Sequence, residues 1–383
     1  MSDVRVCHQV NLQQGFGGGE VYTTFFTRAL LELGWQVRLY VNSANPYWAR
    51  NLPSGVEVIP LTVIEDLAPA LPTTPATVFF HAPQAAGLVA DLHRRRHRLC
   101  AFAHMPVYGR NPLLYKGFDH IIAVSQHVIN SLREAGLDQY YPVPLLGVAD
   151  LERSGATSGQ IVRGPLYDWD RRKVRERLGR LLAPLVTPLL PKPRFSRRPG
   201  LSLGIVSRLT PIKQFPLLFS YLAPLLKEQA DINLEIFGNG GYASIRDLRR
   251  ELRPLAGRCR FWGHQDDVRA VYGQLDALLT GLPEKEALGL NVIEAQVCGL
   301  PVLAVDAPPF DETVADDVTG WRYTDPRHDG GRDFLRVLGL LRRGLPPHSE
   351  AVGDHLQRFA FSSFVARVNA LMEALPRAQE ARA

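Results

Sequence analysis

The sequence predicts an α/β protein with two domains, each built on a Rossmann-like parallel sheet. Its 383 residues, of which 46% are hydrophobic and 21% are charged, are enough for two hydrophobic cores. Short apolar runs alternate with amphipathic helical segments in both halves of the chain, which is typical of parallel βαβ units. A stretch rich in Gly, Pro and Arg separates the halves. We therefore predict an N-terminal domain at residues 1–153, an insert and linker at 154–199, a second domain at 200–355 and a C-terminal helix at 356–383.

The N-terminal domain begins with a predicted strand at residues 4–11, a glycine-rich turn, a helix and a second strand at residues 36–41. Such a start suggests a dinucleotide site. The pattern G-x-G-x-x-E at residues 15–20 lacks the third glycine, however, and Asn42 stands where a ribose-binding acid is expected. An NAD-dependent two-domain oxidoreductase is therefore a disfavoured hypothesis for this protein. The turn itself could also be a glycine-rich turn that binds no ligand.

Two histidines lie at the ends of predicted strands in the same domain. His81 ends the strand at residues 77–81, and His104 follows the strand at residues 99–103. Parallel α/β sheets place their binding sites at the carboxyl ends of strands, so both side chains are candidates for a site. A hydrogen-bonded core histidine is the alternative for His104. The other strands of this domain are predicted at residues 56–60 and 121–124, and Ser125 is the predicted N-cap of the helix that follows at residues 126–135.

The insert carries the net positive charge of the chain. Residues 168–198 contain ten Lys or Arg against three Asp or Glu, whereas the whole chain has a formal net charge of +6. The rest is near neutral, so nucleic-acid binding is not indicated. Apolar residues at helical spacing within 170–185 predict a basic amphipathic helix, which would lie on an anionic membrane or pack on its own domain. Asp168-Trp169-Asp170 has the D-x-D pattern of a metal site but does not follow a strand, so we expect no metal there.

The second domain begins with a predicted strand at residues 201–207, followed by Arg208 and Lys213. An Arg guanidinium can donate two parallel hydrogen bonds to a diphosphate, and a Lys ammonium can approach it as a mobile point charge. The pair could therefore bind phosphate. The alternative is that both side chains are solvated at the surface. Gly238 follows the next predicted strand, at residues 233–237. No acid ends the strand at residues 259–263, so a nicotinamide cofactor is again unsupported.

The stretch at residues 283–302 holds the richest set of candidate site residues. It follows a strand predicted at residues 276–280 and contains a helix that Gly299 ends before a strand at residues 301–305. Gly289 lets a ligand approach the backbone closely. We expect the amides of Leu290, Asn291 and Val292 to be free at the positive end of the helix, where phosphate is favoured.

Two carboxylates, Glu286 and Glu294, flank these amides. A carboxylate can accept hydrogen bonds from two sugar hydroxyls at once, whereas contact with phosphate would be repulsive. Together the amides and the acids indicate a site for a phosphorylated sugar.

This stretch closely resembles the E-x7-E segment of the retaining nucleotide-sugar glycosyltransferases of family four. The resemblance rests on Glu286-x7-Glu294 with Gly289-Leu290 inside it, and on Gly299-Leu300-Pro301-Val302. It covers nearly the whole chain and is weakest at residues 154–200. It implies the GT-B fold, in which two Rossmann-like domains face each other across an interdomain cleft and the C-terminal helix crosses back to the N-terminal domain.

The resemblance also implies a role for each matching residue. Arg208 and Lys213 match a G-R-x-x-x-x-K loop, in which Ser207 replaces the usual glycine, and would neutralise the leaving diphosphate. Glu286 would orient the sugar, Glu294 would hold the ribose hydroxyls, and His104 would lie near the transferring sugar. The remaining donor-binding residues implied are Gly17, Gly18, Gly238, Gly289, Leu290 and Asn291.

The reaction so implied moves a sugar from a nucleotide-diphosphate donor to a glycan or lipid-linked acceptor, with retention and without a metal or cofactor. No enzymic nucleophile is evident, which fits a front-side path in which the leaving phosphate accepts the acceptor's proton. A non-catalytic GT-B binding module is the third class, and the set Arg208, Lys213, Glu286 and Glu294 disfavours it.

The sequence contains neither a signal peptide nor an apolar run of membrane-spanning length. We therefore expect a cytoplasmic protein in polysaccharide or glycoconjugate assembly, with residues 170–198 as a candidate contact with the inner membrane face. The four widely spaced cysteines are expected to be buried thiols.

Overall fold

The computed structural model describes residues 5–15, 17–149, 159–168, 193–344 and 349–375. These residues divide into two compact units, drawn from residues 1–149 with 357–383 and from residues 150–356. Each unit contains, within its described residues, one sheet of six parallel strands. The predicted α/β class is therefore confirmed.

The sheet of the first unit has a switch point at its centre. Its strands are β1 (Val6–Asn11), β2 (Gln36–Asn42), β3 (Val56–Leu61), β4 (Thr77–Phe80), β5 (Arg98–Ala103) and β6 (His120–Ala123). They lie in the order β3-β2-β1-β4-β5-β6, so the chain leaves β1 toward one edge and β4 toward the other. In open α/β sheets a crevice forms at the carboxyl ends of the two strands that flank such a reversal.

The helices of this unit begin and end at local signals. Ser125 caps one of them, because its Oγ accepts a hydrogen bond of 3.1 Å from the amide of Val128, as the sequence predicts. The helices are α1 (Gly18–Glu32), α2 (Trp48–Asn51), α3 (Leu67–Ala70), α4 (Ala86–Arg94) and α5 (Gln126–Glu134), with 3₁₀ turns at Ile64–Asp66 and Pro112–Tyr115.

The sheet of the second unit repeats the same plan. Its strands are β7 (Leu201–Val206), β8 (Ile232–Phe237), β9 (Cys259–Gly263), β10 (Ala277–Leu279), β11 (Val302–Val305) and β12 (Gly320–Tyr323). They lie in the order β12-β11-β10-β7-β8-β9, so the switch point falls between β7 and β10. β12 is absent from the strands that the sequence predicts, because Gly320-Trp321-Arg322-Tyr323 is not a continuous apolar run.

The described helices that follow these strands, and those at the C-terminal end, are α6 (Phe215–Lys227), α7 (Tyr242–Glu251), α8 (Val268–Tyr272), α9 (Leu290–Val297), α10 (Phe310–Thr313), α11 (Pro326–Asp329), α12 (Arg332–Arg343), α13 (Ser349–Gln357) and α14 (Phe361–Ala374). There are 3₁₀ turns at Pro211–Lys213 and Arg253–Leu255.

Both faces of the second sheet are buried. Side chains alternate across a strand, and in β11 Leu303 and Val305 pack in one core whereas Val302 and Ala304 pack in the other. This double burial explains why the strands of this unit are continuous apolar runs rather than alternating ones.

The C-terminal helix α14 packs against α1 in the first unit. The rings of Tyr22 and Phe364 meet edge to face at 5.6 Å, and the Arg28 guanidinium lies 4.3 Å from the centre of the Phe361 ring. Arg367 donates a hydrogen bond of 3.2 Å to the carbonyl of Leu146. These contacts tie the end of the chain to the start of the first unit.

Residues 160–168, which we call the strap, cross the carboxyl ends of β8 and β9. The amide of Gly164 donates to the carbonyl of Trp262 at 2.7 Å, and that of His264 donates to the carbonyl of Pro165 at 2.9 Å. Gly164 lies so close to the backbone that a Cβ there would come within 2.1 Å of the His264 carbonyl oxygen. Residues 169–192, which include the predicted basic helix together with Trp169 and Asp170, lie outside the described residues.

Candidate functional site

Loops from the two strands at the switch point of the second unit come together at their carboxyl ends. The loop after β7 carries Arg208 and Lys213, and the loop after β10 carries Glu286 and Gly289. β7 and β10 are neighbours in the sheet, with Ala277 opposite Leu203 and Leu278 opposite Gly204. Four of the predicted site residues therefore converge on one crevice, although they are far apart in the sequence.

An ion pair joins the two loops. The Lys213 ammonium donates a hydrogen bond to Glu286 Oε2, and the two side chains are only 19% and 13% exposed. The other carboxylate oxygen, Oε1, accepts from the amide of Ala287 at 3.2 Å. Little water reaches this carboxylate and this ammonium, so the contact between them is strong and oriented. A ligand of either group would have to displace the other one.

A glycine makes this close approach possible. A Cβ at Gly281 would lie 2.1 Å from the carbonyl oxygen of Lys213, a distance that no larger residue tolerates. The same carbonyl accepts a hydrogen bond of 3.2 Å from the amide of Leu282. Gly281 is absent from the residues that the sequence indicates, since a single glycine after a strand is too common to be a signal.

The N-terminus of α9 has the predicted backbone geometry with one exception. Gly289 adopts a φ of +82°, which favours glycine, and precedes the helix as expected. The amide of Val292 is not free, because it donates to the Gly289 carbonyl at 2.9 Å in a tight first turn. This corrects the prediction of three available amides, and leaves Leu290 and Asn291 as the candidates. The Asn291 side chain donates to the carbonyl of Val206 at 3.0 Å, which ties α9 to the end of β7.

Glu294 lies one turn further along α9. It accepts a hydrogen bond of 3.1 Å from the hydroxyl of Tyr272, which also lies 3.2 Å from the carbonyl of Asn291. Burial raises the pKa of Glu294 from its ordinary 4.5 to about 7, and the Tyr272 hydroxyl opposes this shift. The structure thus brings Glu286 to Lys213 and Glu294 to Tyr272. Nothing in the sequence indicates the partnership with Tyr272, which α8 supplies.

Arg208 and Gly238 stand on adjacent loops. Gly238 has a φ of +125°, and a Cβ there would lie 1.9 Å from the carbonyl oxygen of Ser207, so the residue before Arg208 is held directly against it. The Arg208 guanidinium is 51% exposed and lies 3.9 Å from the carboxylate of Asp168, at the end of the strap. An ion pair of this length and exposure is weak, which leaves Arg208 able to exchange its partner.

The strap also contacts the glycine-rich loop after β8. The amide of Gly240 donates to the carbonyl of Leu166 at 3.1 Å, and the amide of Asp168 donates to the carbonyl of Gly240 at 2.9 Å. A backbone bridge of this kind occupies polar groups of the loop that a ligand would otherwise use. The sequence indicates Gly238 in this loop but not the contact of the loop with the strap.

Two predicted residues of the first unit, Gly17 and Gly18, lie where α1 begins. Gly17 precedes the helix with an extended backbone that any residue could adopt, so its glycine is not required by conformation. A cavity of about 660 Å³ opens in the same unit, at the switch point between β1 and β4. Its lining includes Val10, Leu12, Gln13, Pro83, Gln84 and Leu88.

His104 follows β5 and is only partly buried. Its Nε2 lies 3.3 Å from Nδ1 of His81, and the His104 ring meets that of Tyr22 edge to face at 4.9 Å. Burial lowers the pKa of His104 from 6.5 to about 4, so its imidazole is neutral at pH 7. His104 is therefore a hydrogen-bonded histidine of the first unit and also a partly exposed group at a strand end. It has features of both sequence hypotheses, the site residue and the hydrogen-bonded core histidine.

In the described part of the chain, no group of three or more His, Cys, Asp or Glu side chains could hold a metal ion. No helix among those placed in the structure is both long enough and apolar enough to cross a membrane. Cys7 and Cys100 are buried free thiols, whereas Cys259 and Cys298 are free and partly exposed.

Part of the second unit matches a known protein family. Residues 197–330 match the family described as "Glycosyl transferases group 1", and this region contains Arg208, Lys213, Glu286 and Glu294. The N-acetyl-alpha-D-glucosaminyl L-malate synthase of Bacillus anthracis is 31% identical over 94 residues, which is 24% of each chain. The chain thus matches about a quarter of the length of this curated relative.

Solved structures match over almost the entire chain. HepE of Anabaena in complex with UDP and glucose has a TM-score of 0.65 at 16% identity, covering 97% of this chain and 100% of its own. Sucrose-phosphate synthase from Thermosynechococcus elongatus has a TM-score of 0.67 at 16% identity, covering 96% and 98%. At this identity the likeness establishes the fold, which is the GT-B fold of glycosyltransferases. The region that matches the glycosyl transferases group 1 model, residues 197–330, lies within this fold.

Proposed function

We propose that this protein is a retaining glycosyltransferase that moves a hexosyl group from a nucleotide-diphosphate donor to a glycan or lipid-linked acceptor. The observation that carries the proposal is the Lys213–Glu286 ion pair at the β7/β10 switch point. It lies beside the N-terminus of α9 and inside the region that matches the group 1 family. A cation, a carboxylate and helix amides at one crevice are the groups that a sugar diphosphate needs.

Each donor-site residue has a separate task in this proposal. Lys213 exchanges Glu286 for the diphosphate, and Arg208 exchanges Asp168, so both cations neutralise the charge that grows on the leaving group. Glu286, released from Lys213, accepts hydrogen bonds from hydroxyls of the transferring sugar. Glu294 accepts from the ribose hydroxyls, and the amides of Leu290 and Asn291 assist at the phosphate.

The proposed transfer proceeds on one face of the sugar. The acceptor oxygen forms a bond with the anomeric carbon as the bond from that carbon to the phosphate oxygen breaks. The acceptor's proton passes to the leaving phosphate. This path needs neither an enzymic nucleophile nor a metal, and His104 contributes a hydrogen bond near the transferring sugar.

The acceptor would bind in the first unit, in the cavity at the β1/β4 switch point. Its lining combines apolar side chains with Gln13, Glu65, Gln84 and Asp91, which suits a molecule with both apolar and hydroxyl-bearing parts. Assembly of a polysaccharide or glycoconjugate on the cytoplasmic side of a membrane is the proposed setting.

Two relatives support the choice of donor class. HepE was solved with UDP and glucose, and the pneumococcal O-GlcNAc transferase GtfA was solved with UDP and GlcNAc. GtfA has a TM-score of 0.64 at 12% identity and covers 97% of this chain and 99% of its own.

A donor-hydrolysis screen over UDP-, GDP- and ADP-sugars tests the proposal. We expect one nucleotide series to be hydrolysed slowly, and Lys213→Ala to slow this by roughly a hundredfold. NMR of the released sugar should show the donor's own anomeric configuration first. Binding of nucleotide diphosphates in calorimetry without turnover of any donor would instead indicate a non-catalytic binding module. Binding of dinucleotides alone would reject the proposal.

A further inference from the structure

A chain of buried polar side chains runs through the first unit to His104. Gln9 on β1 donates from Nε2 to the Thr27 hydroxyl on α1 at 3.1 Å, and its Oε1 lies 3.0 Å from Nε2 of His81. Nδ1 of His81 lies 3.3 Å from Nε2 of His104. Thr27, Gln9 and His81 are at most 4% exposed, so these side chains cannot exchange their partners for water.

The surroundings keep both histidines neutral. The ring of Phe102 stacks on that of His81 at 4.7 Å with an interplanar angle of 5°, and it lies 5.5 Å from the ring of His104 at 15°. Burial lowers the pKa of His81 well below 6.5, and His104 opposes a charge on it further. Each neutral imidazole carries one N–H and one lone pair.

The direction of each hydrogen bond then follows from Gln9. The Gln9 amide is oriented with its oxygen toward His81, and the Thr27 hydroxyl lies 3.3 Å from the same oxygen. An amide oxygen only accepts, so in this orientation Nε2 of His81 carries the proton and Nδ1 of His81 is an acceptor. The partner of that acceptor, Nε2 of His104, must therefore be protonated. The remaining nitrogen of His104, Nδ1, is left with a lone pair.

We propose that Gln9 and His81 are positioning residues that hold His104 in its Nε2–H tautomer, so that Nδ1 of His104 accepts a hydrogen bond from a substrate hydroxyl. The tautomer is a property of the first unit alone, whereas the hydroxyl rests on the proposed function. Groups behind a functional histidine commonly fix its tautomer in this way.

Long-range ¹H–¹⁵N NMR of the full-length protein with labelled histidine tests the tautomer at pH 7. The His104 signals are assigned from their loss in His104→Asn. We expect Nε2 of His104 in the protonated shift range and Nδ1 in the unprotonated range. A protonated Nδ1 in the wild-type protein, or a His104 imidazolium, would overturn the relay whether or not any donor is turned over.

Reversal of the chain is the sharper test. In Gln9→Glu an ionised carboxylate beside His81 favours protonation of both His81 nitrogens, so Nδ1 of His81 would donate to Nε2 of His104 and move the proton of His104 to Nδ1. We expect this tautomer reversal together with a fall in kcat/KM of about 10- to 100-fold and an unchanged affinity for free nucleotide diphosphate. The matched control is Phe26→Leu, whose ring lies 6.1 Å from that of His81 and takes no part in the hydrogen bonds.

The control separates a structural role from a positioning role, because it should lower stability and leave the tautomer unchanged. A Gln9→Glu variant with the wild-type tautomer of His104 would contradict the relay. A reversed tautomer with unchanged kcat/KM would contradict the role of Nδ1.

If Gln9→Glu does not fold, Gln9→Met replaces it, and a single tautomer of His104 in that variant would contradict the relay. A wild-type protein with the expected tautomer but no transferase activity would leave the relay standing and reject the proposed function instead.

Discussion

At the scale of single residues, the two carboxylates of the E-x7-E pattern have different environments. Glu286 is paired with Lys213, whereas Glu294 is buried next to Tyr272 and has its pKa raised to about 7. Equal residue type therefore does not mean equal chemistry. The environments match the proposed tasks, since a group paired with a cation can be released by phosphate and a fixed acceptor can hold a ribose.

Substitution of each carboxylate should separate these tasks. Glu286→Gln should slow sugar transfer by about tenfold or more without weakening the binding of free nucleotide diphosphate, because the sugar contact is lost whereas Lys213 no longer has to leave a carboxylate. Glu294→Gln should weaken nucleotide binding as well as transfer. Calorimetry with the nucleotide and initial rates with the donor check both, and an abolished nucleotide affinity in Glu286→Gln would reverse the assignment.

The raised pKa of Glu294 has a consequence for stability. The folded protein binds this proton more tightly than the unfolded chain, so the free energy of unfolding should fall as the pH rises from about 4.5 to about 7 and then level off. Glu294→Gln removes this contribution. Urea unfolding of both proteins at pH 5 and pH 8 checks this. From pH 5 to pH 8, the free energy of unfolding should fall by about 2 to 3 kcal/mol more in the wild type than in the variant. Parallel pH dependences would show that the carboxylate titrates near its ordinary pKa.

At the scale of elements, the loops after β7 and β8 depend on one glycine. Gly238→Ala combines a φ of +125° with a Cβ only 1.9 Å from the Ser207 carbonyl oxygen, so the loop that carries Arg208 must move. We expect a loss of a few kcal/mol in the free energy of unfolding and at least a tenfold weaker nucleotide affinity.

The same loop provides the control. At Gly241 no atom lies within 4 Å of the position that a Cβ would take, and the residue does not have a positive φ. Gly241→Ala should therefore leave both stability and affinity almost unchanged. Thermal unfolding compares the stability of the two variants, and calorimetry compares their nucleotide affinity. Equal behaviour of the two would show that the close contact at Gly238 does not position the loop.

At the scale of the whole molecule, the net charge of +6 comes from residues 168–198, where ten Lys or Arg stand against three Asp or Glu. Most of these residues lie outside the described part of the chain, so docking on an anionic membrane stays a prediction of the sequence. Each arginine near such a surface contributes on the order of 1 kcal/mol, and apolar side chains at helical spacing add burial.

Sedimentation with vesicles tests this docking. The protein should bind anionic vesicles at low salt and not neutral ones, and binding should weaken as salt rises. Replacement of Arg171, Arg172, Lys173, Arg175 and Arg177 by Gln should abolish it. Undiminished binding by this variant, or none by the wild-type protein, would reject the membrane contact and favour packing of the segment on its own domain.

The sequence by itself determined what depends on neighbours along the chain. The apolar runs predict eleven of the twelve described strands, Ser125 predicts a helix cap, and Gly289 and Gly299 predict where α9 begins and ends. These features follow from backbone conformation and hydrophobic periodicity, which are local. The residues with phosphate and sugar chemistry could be named for the same reason.

Only the tertiary structure decided which of these groups meet. The contacts of Lys213 with Glu286, of Glu294 with Tyr272 and of His81 with His104 join residues that are 73, 22 and 23 positions apart, and the strap meets the Gly240 loop from across the sheet. No local pattern encodes such distances, because the order of the strands in the sheet sets them. The pKa of Glu294 and the direction of the hydrogen bonds at His104 depend on burial and partners, and these exist only once the sheets have formed.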